Sequence, residues 1–166
     1  MAVKNLEDLF VHSLSDIYSA EKQLTKALPR LARASTNPDL ATAFETHLEE
    51  TQGQIERIDE VVDSLGIKLK RMKCVAMEGL VDEGKEVIEA VDKGPVRDAA
   101  LIGGAQKVEH YEIACYGTLC ALGKQLGYTD AVQLLAQTLD EEKATDRKLS
   151  MLAEQGGANE EAAQAA

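Results

Sequence analysis

Apolar residues recur at three- and four-residue spacing through four long windows, the period of a helix that buries one face. Leu6, Phe10, Leu14, Ile17, Leu24, Leu28 and Leu31 form the first stripe, which predicts a helix from Asn5 to Arg33 with Pro29 bending or fraying its last turns. "STNPD" supplies a stop and a restart. A second helix follows from Pro38 to Leu65 on Leu40, Phe44, Ile55, Ile58 and Val61, with Gly66 as its C-cap. Pro95 is placed to open another helix, over 95–125, carrying Leu101, Ala105, Val108, Cys115, Leu119 and Leu122. "LGYTD" breaks it at Gly127. The last long helix spans 129–155 on Val132, Leu135, Leu139, Leu149 and Leu152.

The stretch 67–94 differs. Its basic run "KLKRMK" reads as a solvated loop, and a shorter helix over 74–91 is weakened by Gly79 and Gly84. Two helical hairpins joined by so long a connection predict an all-α, antiparallel four-helix bundle with one additional crossover helix. The ending "GGANEEAAQAA" has no large apolar residue, so the expected organisation is a helical domain over 1–155 and a disordered acidic tail over 156–166.

Acids interrupt the stripes. Glu112 takes a core slot between Val108 and Cys115, with Glu109 one turn earlier on the same face. Glu21 lies between Ile17 and Leu24, His47, Glu50 and Gln54 between Phe44 and Ile58, and Glu142 and Asp146 between Leu139 and Leu149. Glu21 and Glu50 stand equally far from the "STNP" turn, as Glu112 and Glu142 do from Gly127. Each is about 15 residues, or roughly 22 Å of helix, from its turn, so two packed hairpins would bring all four acids to one layer. Buried carboxylates without counter-charge cost several kcal/mol each, and the stripes supply no Lys or Arg. Two divalent cations would neutralise the layer, and oxygen donors favour iron or manganese over metals that prefer soft ligands.

Composition narrows the function classes. Hydrophobic residues make up 45% but aromatics only 4%, with no Trp, so Leu, Ala, Val and Ile fill the interior. A net charge of −11 argues against nucleic acid and against acidic lipid surfaces as partners. No window approaches a membrane span and the first residues lack a signal-peptide core. Cys74, Cys115 and Cys120 form no metal or disulfide motif and are expected as reduced thiols of a cytoplasmic protein.

"LSDIYSAEKQL", "HLEETQGQIERI", "RMKCVAMEGL", "RDAALIGGAQKVEHYEIACYGTL" and "LDEEKATDRKL" closely resemble the YciF family of bacterial stress proteins, a branch of the ferritin-like superfamily related to rubrerythrins. The resemblance implies a ferritin-like bundle, a homodimer, and a di-iron or di-manganese site working with a small oxidant such as oxygen or peroxide. Carried over residue by residue, it implies Glu21, Glu50, Glu109, Glu112 and Glu142 as metal ligands. The superfamily's second and last bundle helices carry Glu-x-x-His, but here Gly53 and Thr145 stand where the histidines would be. Gln54 and Asp146, each one residue further, are the oxygen donors expected to substitute. His47, one turn before Glu50, offers a further donor, although its expected role is that of a hydrogen-bonded core histidine. Tyr18 and Tyr116 lie within a turn of Glu21 and Glu112, where their hydroxyls could orient carboxylates, while Glu141 belongs to the solvated face. The competing reading is a dimeric structural or interaction module whose site has lost its metal with its histidines.

Overall fold

The computed structural model describes residues 3–154 and 157–165. Those residues form six helices and no strand: α1 Leu6–Ala34, α2 Pro38–Leu65, α3 Val75–Ala90, α4 Pro95–Leu126, α5 Thr129–Glu154 and α6 Ala158–Gln164. Local chemistry sets the long helices' ends. Asn5 and Asn37 each accept a backbone N–H with their side chains at the starts of α1 and α2. Gly66 and Gly127 close α2 and α4 with positive φ of 61° and 75°, a conformation that costs glycine least. α1 runs on through Pro29 to Ala34.

Side-chain contacts give the helix directions. Moving up α1, Phe10 stacks edge-on against Tyr128 at 5.4 Å, Glu21 meets Tyr116, and Thr36 just beyond meets Asp98, so α4 runs opposite to α1. Along α2, Glu50, Gln54 and Arg57 meet Thr145, Glu141 and Thr138 in turn, so α5 runs opposite to α2. α3 packs against α1 and α4 as the crossover element. The basic segment before it is pinned rather than merely solvated: the Lys70 and Cys74 backbone N–H groups donate to Ser15 and Ser19, each at 2.9 Å. α4 packs against α1, α3, α5 and α6.

Two features lay outside the sequence reading. The closing segment, expected to be disordered, contains α6 (Gly156 and Ala166 of that tail lie outside the described residues). Alanine favours helix most strongly, Glu160 and Glu161 suit the first turn's dipole, and α4 and α5 supply the apolar surface that buries Ala158. Asp98 is the other. It is buried, and its two oxygens accept the Thr36 and Asn37 backbone N–H groups, both at 2.8 Å, tying the start of α4 to the α1–α2 turn. Asp98→Ala strands both donors and should cost about 3 kcal/mol, read as a lower urea midpoint with unchanged slope.

Gly103 and Gly104 sit inside α4, where each costs about 1 kcal/mol relative to alanine. A Cβ at either would find no atom within 4 Å, so no neighbouring helix demands them.

Candidate metal centre

Four of the side chains that interrupt the stripes converge. α4 points Glu109 and Glu112 inward one turn apart, α5 adds Glu142, and α2 adds His47; all four are buried. One donor atom from each lies within 4.8 Å of the other three. His47 is the hub: Nε2 stands 3.2 Å from Glu109 Oε1 and 3.8 Å from Glu142 Oε2, and Nδ1 stands 3.3 Å from Glu50. The Nε2 contacts bring charges together without good hydrogen-bond alignment, since Nε2 has no hydrogen-bond partner. Glu21, fully buried on α1, accepts the Tyr116 hydroxyl on Oε1.

The polar accounting is incomplete. Both oxygens of Glu112 and of Glu142, Oε2 of Glu109 and Oε2 of Glu21 are buried without a hydrogen-bond partner. Burial pushes Glu112 and Glu142 well above the usual carboxylate range; Glu142, Glu21 and Glu109 reinforce this at Glu112, while His47 partly opposes it at Glu142. Burial likewise pushes Glu21 up to about 7, against the lowering influence of the Tyr116 hydrogen bond and of His47. For His47 burial disfavours the cation, but Glu109, Glu50 and Glu142 overcome it and hold its pKa well above the ordinary imidazole value. Glu50 is lowered, chiefly by its hydrogen bond to His47.

The other expected donors are placed differently. Glu50 is more than one-third exposed and binds His47 and Thr145 at the edge of the cluster. Gln54 is buried, but its amide donates to Glu141 and its Oε1 is left without a partner. Asp146 faces α4, where it meets His110 at 3.3 Å and Gln106 at 3.5 Å, apart from the four clustered residues. Four residues past Glu142, it is turned about 40° round the helix, enough to leave the seam. Glu141 is not a freely solvated acid: Arg57 holds it bidentately, at 2.7 Å and 2.5 Å. Of the two tyrosines, Tyr116 reaches a carboxylate, while Tyr18 lies under the Lys22 ammonium at 4.5 Å.

Sequence reasoning undervalued His47. The expected pattern sets a histidine three residues after each Glu, whereas α2 carries its imidazole one turn before Glu50, a position readable from the chain. Metal bonds of about 2.0–2.2 Å set opposite ligands about 4 Å apart, so the cluster needs little contraction to close on an ion. Oxygen donors with one imidazole suit a divalent cation, and the partnerless oxygens are what such an ion would engage. On these observations the residues fit a metal.

A domain family described as "Domain of unknown function (DUF892)" matches residues 5–163. Protein YciF of Escherichia coli (strain K12) is 66% identical over 154 residues, 92% of this chain and 93% of that protein. The crystal structure of the E. coli stress protein YciF aligns with TM-score 0.88 over 90% of this chain and 95% of that one. YcfI, "a putative structural protein" from Rhodopseudomonas palustris, aligns at 49% identity with TM-score 0.87, covering 91% of this chain and 96% of that one. Among the described residues no helix is long and apolar enough to cross a membrane.

Proposed function

The chain belongs to the DUF892 family, with YciF as a close relative, and on that premise we propose that it is a ferritin-like, cytoplasmic stress protein whose bundle holds iron or manganese. His47, Glu109, Glu112 and Glu142 would hold the ion, with Glu21 and Glu50 reaching a second ion beside it. The observation that carries this reading is the set of buried carboxylate oxygens with no partner among the described residues. The ion would supply redox chemistry toward oxygen or peroxide. The chain's own residues do the rest. The carboxylates would supply counter-charge to the ion in their ionised form; His47, which lies against Glu109 and Glu142, would serve as a neutral donor; Tyr116, whose hydroxyl donates to Glu21, would fix the orientation of that carboxylate. Gln54, Arg57 and Glu141 brace α2 against α5 beside the cluster.

Metal analysis of protein purified from iron- and manganese-supplemented medium tests the proposal, with melting before and after chelation. Bound metal, lost together with several degrees of Tm on chelation, supports it; metal-free protein that melts identically in both states contradicts it.

A second reading has an observation of its own. A protonated His47 among Glu109, Glu142 and Glu50 supplies a cation without any metal, which suits a structural or interaction module, as the description that YcfI carries would suggest. A homodimer belongs to both readings, and sedimentation equilibrium tests it: a mass of one chain would remove it from either.

A further inference from the structure

α3 lies across α1 and α4 without closing on them. Between the three helices is a cavity of about 250 Å³, walled by Leu24, Leu31, Leu80, Val87, Leu101 and Val108. Glu83 and Lys107 pair at 2.7 Å on its exposed rim, joining α3 to α4. Gly103 and Gly104 also line it. Mid-helix glycines ordinarily admit a close-packed neighbour, but here a Cβ would meet nothing; Gly103 is exposed and Gly104 half-buried, so of the two Gly104 is the one placed to leave room in the cavity.

Leu24, Leu31, Ala105 and Val108 line both this cavity and a small inner cavity of about 20 Å³ whose walls include His47 and Glu109. That inner space has room for about one water-sized molecule. Glu109 is 2% exposed and its Oε2 has no partner. An apolar chamber thus lies one layer of side chains away from a space bordered by a partnerless carboxylate of the cluster.

We propose that the α1–α3–α4 cavity binds a small, uncharged apolar molecule and is the route by which one of dioxygen's size and polarity reaches the Glu109–His47 side of the cluster. The lining discriminates. A charged or strongly hydrogen-bonded molecule would shed its water without replacement along Leu24, Val87 and Val108, whereas an apolar one loses nothing. Enclosed apolar cavities of about 150 Å³ take up benzene or xenon; this one is larger and partly open to solvent. The chamber stands on its own geometry; the route to a reactive centre rests on the metal reading above, naming the class of molecule that meets that site.

Xenon is the probe. Crystals of the full chain pressurised with xenon should show a strong site between α3 and Gly104, and a weaker one in the inner cavity against Glu109. Gly104→Leu, which adds bulk to the chamber wall at a position where a Cβ meets no atom within 4 Å, should abolish both sites without changing metal stoichiometry. Gly104→Ala should melt higher than the parent and retain xenon, which separates filling from misfolding. Absence of xenon from the parent, or its persistence in Gly104→Leu, would overturn the proposal. So would a second copy's side chain seated in the chamber, or a parent dimer that Gly104→Leu dissociates. Xenon uptake by a parent that takes no metal would overturn the route alone and leave the chamber supported, so the two readings fail separately.

Discussion

Glu112→Leu should make the metal-free protein more stable than the parent while depriving it of metal. Glu112 is fully buried, neither of its oxygens has a hydrogen-bond partner, and its surroundings include Glu142, Glu21 and Glu109. Its presence costs desolvation and, once ionised, repulsion, with no bond in return. Leucine fits the neighbouring apolar stripe of α4 and removes both costs. Replacing buried charged groups by apolar ones of similar volume stabilises by about 1–4 kcal/mol, and each kcal/mol raises Tm by about 2–4 °C in a chain of this size. The gain should be largest in chelator at about pH 8, when retention of the proton is most costly. Thermal melts and metal stoichiometry of parent and variant, measured side by side, check both halves. A variant that melts lower in chelator, or that loads metal as the parent does, contradicts the account.

The second large effect concerns pH. Glu21 is raised from the ordinary 4.5 to about 7 by burial in the folded chain. Below about pH 4.5 both folded and unfolded chains carry its proton, and the contribution to stability is fully present. Between about 4.5 and 7 the unfolded chain releases that proton while the folded chain keeps it, so stability falls as pH rises. The loss from Glu21 alone is on the order of 3 kcal/mol. Glu112 and Glu142, raised further by burial, continue the decline at higher pH. The raised His47 acts with the same sign, stabilising below its unfolded pKa and ceasing to do so as pH climbs through its folded one. Glu50, lowered, acts oppositely, but its exposure keeps the effect small. Chelated protein should therefore melt several degrees higher at about pH 5.5 than at about pH 8. Manganous ion should reverse the order, because metal ligation takes up deprotonated carboxylates. A chelated protein whose Tm rises across that interval would show that the acids are not held protonated by the fold.

The helices were legible because their signals are local. Asparagine caps, a proline at the first turn of α2 and of α4, and positive-φ glycines act within a few residues of themselves, so the five long elements end within a residue of where the pattern places them. α6 was not legible, because what holds it is surface belonging to α4 and α5. The carboxylate layer could be foreseen from equal distances to two turns, a matter of helical rise alone. Membership of that layer could not be fully foreseen. Arg57 reaches Glu141 across the α2–α5 seam by the length of its side chain, and Asp146 is drawn to Gln106 and His110 by side chains on another helix. Neither contact leaves a trace in the spacing of its own helix.

Crystals grown with manganous ion, with diffraction recorded at the manganese absorption edge, test the central claim most directly. The account predicts an anomalous peak enclosed by His47, Glu109, Glu112 and Glu142, within bonding distance of the oxygens that the protein leaves without partners. A map with no peak there, and with those oxygens bonded instead to ordered water or to His47 alone, would contradict it.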